Sequence, residues 1–186
     1  MKPLLKWPGG KRWLLPLLKP LWVPYADLTL VEPFTGGMAV ALGLNPAKSY
    51  LNDANAHLIN FYEQVRDGLT IRQPLKNESS FYYLQRESFN TLIKTKRFKT
   101  KKAASLFYYL MKTGFNGLCR FNSQGEFNVP FGQYQSINYK KMFDDYQTIL
   151  APWQFSHGDF EKMFLKGDEF LYVDPPYDVE FTKYCP

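Results

Sequence analysis

The sequence predicts an α/β protein whose sheet has about four strands and is interrupted by a mostly helical insert. An apolar run at 27–34 precedes a glycine turn and a helical pattern, and a second strand pattern at 48–53 ends on an acid. Two further strand patterns follow much later, at 151–160 and 168–177. Strands separated in this way indicate one sheet with an inserted module at about 56–145. Ligands bind such sheets at the carboxyl ends of the strands.

Length and composition exclude several protein classes. A chain of 186 residues with 45% apolar and 18% aromatic content predicts one domain with an ample core, or one domain with a large insertion. The apolar runs are far shorter than the roughly 20 residues of a membrane span, and the N-terminus has no signal-peptide pattern. Cys119 and Cys185 lie in no metal-binding spacing, so we expect free thiols in a reducing cytoplasm.

The insert is predicted to contain several helices and one β-hairpin. Apolar residues at helical spacing occupy 54–68, 79–94 and 101–114. The period changes at 118–131, where two alternating segments flank the turn sequence Asn122-Ser123-Gln124-Gly125. Residues 1–55 and 146–186 are therefore assigned to the sheet domain, and residues 56–145 to the insert.

Positive charge is concentrated before residue 144. The net charge is +6, but residues 1–143 carry 20 Lys and Arg against 8 Asp and Glu. Six cations fall within the segment 94–102, which suits phosphate neutralisation. A solvated, mobile loop would have the same composition. Neighbouring aromatic residues favour nucleic acid, because bases stack on such side chains; they are Phe81, Tyr82, Tyr83, Phe107, Tyr108 and Phe115.

Three motifs at predicted turns have both a structural and a functional interpretation. In "VEPFTGGMAV" the glycines allow a ligand to approach the backbone, although a plain tight turn is equally compatible and the dinucleotide fingerprint is absent. Asp53 at the end of the second strand could accept hydrogen bonds from ribose hydroxyls or cap a helix. "WPGGK" at 7–11 predicts an N-terminal turn with a surface lysine, or an anion site.

The tetrapeptide "DPPY" at 174–177 is the most informative motif. Asp174 follows an apolar strand, and Pro175 and Pro176 remove two N–H donors while their carbonyls remain acceptors. Tyr177 adds a flat aromatic face. A carboxylate, an acceptor carbonyl and an aromatic plane together suit the exocyclic amine of a base that has been taken out of the duplex. The alternative is a proline-stiffened turn with a capping aspartate.

Five segments carry a resemblance to a known family. In chain order they are "LLKWPGGK", "VEPFTGGMAV", "LNDAN", "GFNGLCRFNSQGEFNVPFGQY" and "FLYVDPPY". From about residue 4 to its end, the chain resembles the Dam-type DNA adenine methyltransferases of the D12 class. The resemblance implies a Rossmann-like methyltransferase sheet and a DNA-recognition insert. It also implies S-adenosylmethionine as methyl donor and adenine in double-stranded DNA as acceptor.

The resemblance also implies the residues of the reaction site. Asp174, Pro175 and Tyr177 would hold the target adenine. Methyl transfer of this kind would require no metal ion. His57 and His157 are too few and too scattered for a metal site. The positions that match the family's cofactor-binding residues are Trp7, Lys11, Phe34, Gly36, Asp53, Asp159, Phe160 and Asp174.

DNA contacts follow from the same resemblance. Phe115 stands where the family inserts an aromatic wedge into the duplex, and Arg120 could bind a guanine in bidentate fashion. The full set of matching positions is Phe115, Asn116, Leu118, Arg120 and Pro130. Close agreement in this stretch favours GATC as the methylated site. Gln133 departs from the family, in which many members have a basic residue after "PFG".

Two other functions remain compatible with the sequence. A related methyltransferase could act on cytosine or on adenine in RNA, and a remnant could bind DNA or cofactor without turnover. The family's sheet has seven strands, so the fourth strand here is expected to form an open apolar edge. We expect the complete enzyme to be a monomer, and this chain to be able to associate through that edge.

Overall fold

The structure is a computed structural model that describes residues 1–176. Short 3₁₀ turns lie at Arg12–Leu14, Val23–Tyr25, Phe115–Gly117 and Phe160–Lys162. The strands are β1 (Leu30–Glu32), β2 (Ser49–Asp53), β3 (Gln154–His157) and β4 (Phe170–Leu171). The α-helices are α1 (Leu15–Trp22), α2 (Ala39–Leu44), α3 (Ala56–Arg66), α4 (Ser79–Lys94), α5 (Lys101–Thr113) and α6 (Asp144–Leu150).

The four described strands form one parallel sheet in the order β3-β2-β1-β4. In the centre of the sheet, Val31 lies opposite Tyr50 on one side and Leu171 on the other. The pairing confirms the predicted α/β fold with about four strands. Each strand is shorter than the pattern that predicted it, although Thr29 and Tyr172 just outside the strands still make backbone hydrogen bonds between β1 and β4.

Polar side chains begin the two helices that pack most closely in the insert. The Asn55 side chain accepts hydrogen bonds from the N–H groups of His57 and Leu58, both at 3.1 Å, and so caps α3. The Thr100 hydroxyl accepts one from Ala103 N at 3.2 Å and caps α5. Nearly every residue of α5 is buried, so this helix is the axis of the insert's core.

The predicted hairpin forms a tight turn with local pairing and no regular ladder. Phe121 and Phe127 make an isolated antiparallel bridge around the turn. The Asn122 side chain accepts hydrogen bonds from Gln124 N at 3.0 Å and Glu126 N at 2.8 Å, which is the turn-forming behaviour expected of asparagine. A second bridge, between Gly114 and Phe131, closes the base of the segment.

Helix α3 packs against both parts of the chain. It contacts β2 and β3 on one side and α5 on the other, so it joins the sheet to the insert. The division into 1–55 with 146–186 and 56–145 stays a prediction. Within residues 1–176, β4 pairs on one side only, and Leu171 and Val173 beside it are about half exposed. Association through this edge also stays a prediction.

The structure also locates one of the two cysteines and gives the lengths of the helices in residues 1–176. Cys119 is buried, and Cys185 lies outside the described residues, so the state of the two thiols stays a prediction. Across residues 1–176, no helix combines the length and the apolar character that crossing a membrane requires.

Candidate active site and nucleic-acid interface

The carboxyl ends of three neighbouring strands carry the motifs singled out in the sequence. Strand β1 leads into the loop 33–37, β2 ends at Asp53, and Asp174 follows β4. Since β2, β1 and β4 are adjacent and parallel, their carboxyl ends lie on one edge of the sheet. This edge is where ligands bind in sheets of this kind.

Asp53 ties the glycine loop to the sheet. Its Oδ2 accepts a hydrogen bond from Gly36 N and its Oδ1 one from Asn55 N, both at 2.9 Å. Burial raises the pKa of the Asp53 carboxyl, and the two backbone N–H groups oppose that rise. The helix-cap interpretation of Asp53 is wrong, because Asn55 is the N-cap of α3.

Trp7 packs directly on the glycine loop. A Cβ atom on Gly36 would lie 2.8 Å from Cδ1 of Trp7, and one on Gly37 would lie 2.9 Å from Cβ of Trp7. Gly36 also has a φ of +46°, a conformation that side chains disfavour. The two glycines are therefore required for the approach of the indole ring.

Lys11 and Asp174 join the first motif of the chain to the last. Nζ of Lys11 lies 2.6 Å from Oδ2 of Asp174, and the two side chains are only 14% and 24% exposed. Lys11 also donates to the carbonyl of Gly9 at 3.0 Å. Lys11 is therefore a mostly buried lysine paired with a carboxylate of the chain, and its role in an anion site stays a prediction.

A pair of aromatic rings stands beside Asp53. The rings of Phe34 and Phe160 are 5.0 Å apart at an angle of 50°. The backbone before Phe160 is held to β2, because Gly158 N donates to the Asp53 carbonyl at 3.0 Å. Asp159 is exposed and accepts from Glu161 N at 3.1 Å, so its carboxylate caps the short turn that positions Phe160.

Glu32 is a site residue that sequence reasoning missed. This last residue of β1 is 2% exposed, and its Oε2 accepts a hydrogen bond from the Thr35 hydroxyl at 3.2 Å. Burial raises the pKa of Glu32 to about 8. The signal was an acid inside the apolar run "LTLVEPF", which predicts a carboxyl buried in the sheet.

Pro175 is exposed beside Asp174, whereas Tyr177 lies outside the described residues. Among residues 1–176, no three His, Cys, Asp or Glu side chains are grouped so that they could hold a metal ion. His57 lies instead in the core of the insert, stacked on Phe121 at 5.1 Å.

Three of the five predicted DNA contacts lie together at the base of the hairpin. Phe115 is 54% exposed, and its N–H donates to the Pro130 carbonyl at 2.8 Å. Asn116 is exposed and has a φ of +53°, and its Oδ1 accepts from Nζ of Lys6. An aromatic ring and an amide are thus presented to solvent beside a cavity of about 490 Å³. The cavity is lined by Phe115, Asn116, Phe131, Gly132, Gln133 and Tyr134.

The other two predicted contacts lie further along the hairpin. Leu118 is half-buried, and Arg120 is exposed. The Arg120 guanidinium donates to Asn128, from Nε to Oδ1 at 2.8 Å and from Nη2 to the carbonyl at 3.3 Å. These bonds hold the guanidinium across the hairpin, so little side-chain freedom remains to be lost on contact with a base.

The basic segment 94–102 approaches both the hairpin and the sheet. Lys94 pairs with Glu126 at 2.6 Å, and the ring of Phe98 lies 5.3 Å from His57. Burial and, second, the charge of Lys99 lower the pKa of His157, at the end of β3. The segment therefore places cations near the edge of the sheet that carries Asp53.

Comparisons with known proteins agree with this geometry. The family model for the D12 class N6 adenine-specific DNA methyltransferases matches residues 7–185. The type II methyltransferase M1.LlaDCHI of Lactococcus lactis subsp. cremoris is 35% identical over 95% of this chain and 66% of its own length. The DNA adenine methylase of Haemophilus influenzae is 36% identical over 99% of this chain and 68% of its own length.

A third relative, the DNA adenine methylase of Salmonella typhimurium, is 40% identical over 95% of this chain and 65% of its own length. This chain thus spans about two thirds of the length of these relatives. Because the family model matches almost every residue of the sequence, the chain belongs to the D12 class N6 adenine-specific DNA methyltransferases.

Proposed function

We propose that this chain transfers a methyl group from S-adenosylmethionine to the exocyclic amine of adenine in duplex DNA. The observation that carries the proposal is the position of Asp174. It lies on the same sheet edge as Asp53 and Gly36 and pairs with Lys11 of the N-terminal loop. A carboxylate that orients an amine and a site for its cofactor would then be neighbours.

The residues on this edge suit the cofactor. The Asp53 carboxylate would accept hydrogen bonds from the ribose hydroxyls, and the Phe34–Phe160 pair offers apolar surface for the adenine ring. Trp7 and Gly36 form a close-packed wall that lacks side-chain bulk at the glycine. When bound, S-adenosylmethionine supplies an electrophilic methyl group on a sulfonium centre.

The chain's own residues would contribute positioning and electrostatics. The Asp174 carboxylate and the Pro175 carbonyl would accept the two hydrogen bonds of the amine, so that the nitrogen lone pair faces the methyl carbon. Tyr177 would stack on the base. The amine nitrogen would bond to the methyl carbon as the bond from that carbon to sulfur breaks, and the nitrogen would then lose one proton to water. Catalysis of this kind depends on a reacting geometry held in place before the reaction.

We assign DNA recognition to the hairpin and the basic segment. Phe115 would enter the duplex where the target base leaves it, and Arg120 would bind a guanine edge in the major groove. Asn116, Leu118 and Pro130 complete the contact surface, and GATC is the favoured sequence. Gln133 lines the cavity beside Phe115, so a basic phosphate contact would be absent there.

The test is methyl transfer from labelled cofactor to duplexes with and without GATC. We expect Asp174→Ala to lower the rate roughly 100- to 1,000-fold, because the amine loses a charged acceptor. The matched control is Asp168→Ala, which removes an exposed carboxylate from the same segment. Equal rates for Asp174→Ala and the unaltered protein would contradict the assignment.

The same assay separates the two alternatives. A chain that binds cofactor and DNA but transfers no methyl group would be an inactive binding remnant. Transfer to RNA, or to cytosine in DNA, would indicate a related enzyme with another acceptor. Digestion of treated DNA with methylation-sensitive nucleases identifies the modified base and its sequence.

A further inference from the structure

Glu32 is a buried carboxyl group with one oxygen that makes no hydrogen bond in the described structure. Oε2 accepts from the Thr35 hydroxyl at 3.2 Å, and the Ala41 N–H lies near enough to the carboxyl to stabilise its anion, whereas Oε1 has no close hydrogen-bond partner among residues 1–176. Leaving a buried polar atom unpaired is costly for a folded chain. A glutamate at this position therefore requires a reason other than packing.

Glu32 lies at the edge of the sheet where the carboxyl ends of β2, β1 and β4 meet, and several polar groups surround it there. Val31 pairs with Leu171 in the parallel ladder, so Asp174 follows β4 close to the end of β1. Burial is the main cause that raises the pKa of Glu32, and the Thr35 hydroxyl and the Ala41 N–H on α2 lower it, while the Asp174 charge adds the smallest contribution, which raises it. On α3, the buried Tyr62 hydroxyl also senses the Glu32 charge.

Glu32 also touches the loop on which the cofactor site depends. Thr35 precedes Gly36, whose N–H donates to Asp53 and whose Cα faces Trp7. A hydrogen bond to an ionised carboxylate is stronger than one to a neutral carboxyl. Ionisation of Glu32 would therefore tighten its bond with Thr35 and fix the loop more firmly.

We propose that Glu32 is a positioning residue that holds a proton in the free protein and releases it when the cationic cofactor binds. The inference rests on the proposed function. A positive sulfonium placed near Asp174 and the glycine loop would favour ionised Glu32. The product, S-adenosylhomocysteine, has a neutral thioether in place of the sulfonium and would favour it much less. Glu32 thus helps the site to distinguish the cofactor from the spent product, which must leave.

The direction of the pH dependence follows from proton linkage. If the complex holds fewer protons than the free protein, higher pH favours the complex. Because burial raises the pKa of Glu32 to about 8, affinity for S-adenosylmethionine should rise with pH below that value and level off above it. The steepest rise expected for one proton is about tenfold per pH unit.

Titration calorimetry measures the proton directly. We would titrate both ligands at pH 6 to 9.5, in buffers of different ionisation enthalpy, into the unaltered protein and into Glu32→Gln. The unaltered protein should release about one proton with S-adenosylmethionine near pH 7, and clearly less with S-adenosylhomocysteine. Glu32→Gln should abolish this difference, so the affinity ratio of the two ligands becomes independent of pH. Glu87→Gln, an exposed carboxyl on α4, is the control and should behave like the unaltered protein.

The outcomes are separable. Equal proton release by Glu32→Gln and the unaltered protein would overturn the role of Glu32 and leave the proposed function standing. No binding of either ligand by the unaltered protein would overturn both. If Glu32→Gln does not fold, Thr35→Val takes its place. It removes the hydrogen bond that supports the anion, so proton release should shift to higher pH; an unshifted profile would contradict the proposal.

Discussion

The sheet edge and the core of the insert both bury titratable groups, but in opposite surroundings. At the sheet edge, Glu32 and Asp53 lie among hydrogen-bond donors, and Lys11 pairs with Asp174. In the insert, His57 is surrounded by phenylalanine rings at 5.1 to 6.2 Å. The comparison shows that buried polar groups are held by hydrogen bonds at one location and are packed among aromatic rings at the other.

The same desolvation has opposite consequences for stability in the two regions. Burial raises the pKa of Glu32 to about 8 and lowers that of His57 to about 4. Both groups therefore favour their neutral forms in the folded chain. Glu32 makes folding less favourable as pH rises from about 4.5 to 8, whereas His57 does so as pH falls from about 6.5 to 4.

The largest expected effect tests the insert half of the comparison. The substitution His57→Phe keeps an aromatic ring among the phenylalanines that surround position 57 and removes the group that binds the proton. Between pH 7 and pH 4, the unaltered protein should lose about 3 kcal/mol more of its free energy of unfolding than the variant. Urea titrations at a series of pH values measure this difference, because the other groups titrate in both proteins.

His157 supplies the matched control for that experiment. It lies exposed at the end of β3, and burial and the charge of Lys99 lower its pKa, so His157→Gln should remove a smaller part of the acid dependence than His57→Phe does. If the free energies of unfolding of His57→Phe and the unaltered protein differ by the same amount at every pH, the substitution has changed packing alone. That result would show that the burial of His57 has no electrostatic consequence.

Sequence patterns predicted the order of the strands and the end of β2 at Asp53, because each pattern is local. Strands β1 and β4 end at Glu32 and Leu171, before the ends of their apolar runs. The Lys11–Asp174 pair could not be derived from spacing, since 163 positions separate the two residues. The electrostatic environment of Glu32 was missed because it includes Ala41 on α2 and Asp174 after β4. The hairpin was predicted from its turn residues, but its weak ladder depends on packing against α4 and α5.

The second prediction tests the sheet half. Gly36→Ala forces a side chain into a left-handed conformation against Trp7, at 2.8 Å. We expect cofactor affinity to fall about 30-fold, which corresponds to about 2 kcal/mol, while affinity for DNA stays unchanged. Calorimetry with S-adenosylmethionine and fluorescence anisotropy with a labelled duplex measure the two affinities separately.

Gly10→Ala is the control for that substitution. Gly10 lies in the same N-terminal loop as Trp7, but a Cβ atom there would meet only the Trp7 carbonyl oxygen at 3.4 Å, an ordinary contact. Cofactor affinity should therefore change little. Equal losses in both variants would mean that the loop responds to any added bulk, and that the approach of Trp7 to Gly36 has no special importance.

One residue bridges the regions that the comparison separates. Lys6, next to Trp7, reaches Asn116 of the insert, and its side chain would touch a Cβ atom placed on Gly117. The N-terminal loop and the hairpin are therefore in direct contact.

The smallest expected effect concerns the cations that lie between the two regions. Lys99 is exposed and its charge lowers the pKa of His157 at the sheet edge, whereas Lys94 already pairs with Glu126. If Lys99 neutralises one DNA phosphate, Lys99→Ala should reduce the slope of log affinity against log salt by about 0.9. Because a phosphate contact carries no sequence information, binding to duplexes with and without GATC should weaken equally.

Lys19→Ala, on α1, is the control and should leave this salt slope unchanged if that face is outside the interface. A loss confined to the GATC duplex would instead place Lys99 at a base edge, and recognition would then extend beyond the hairpin into the basic segment.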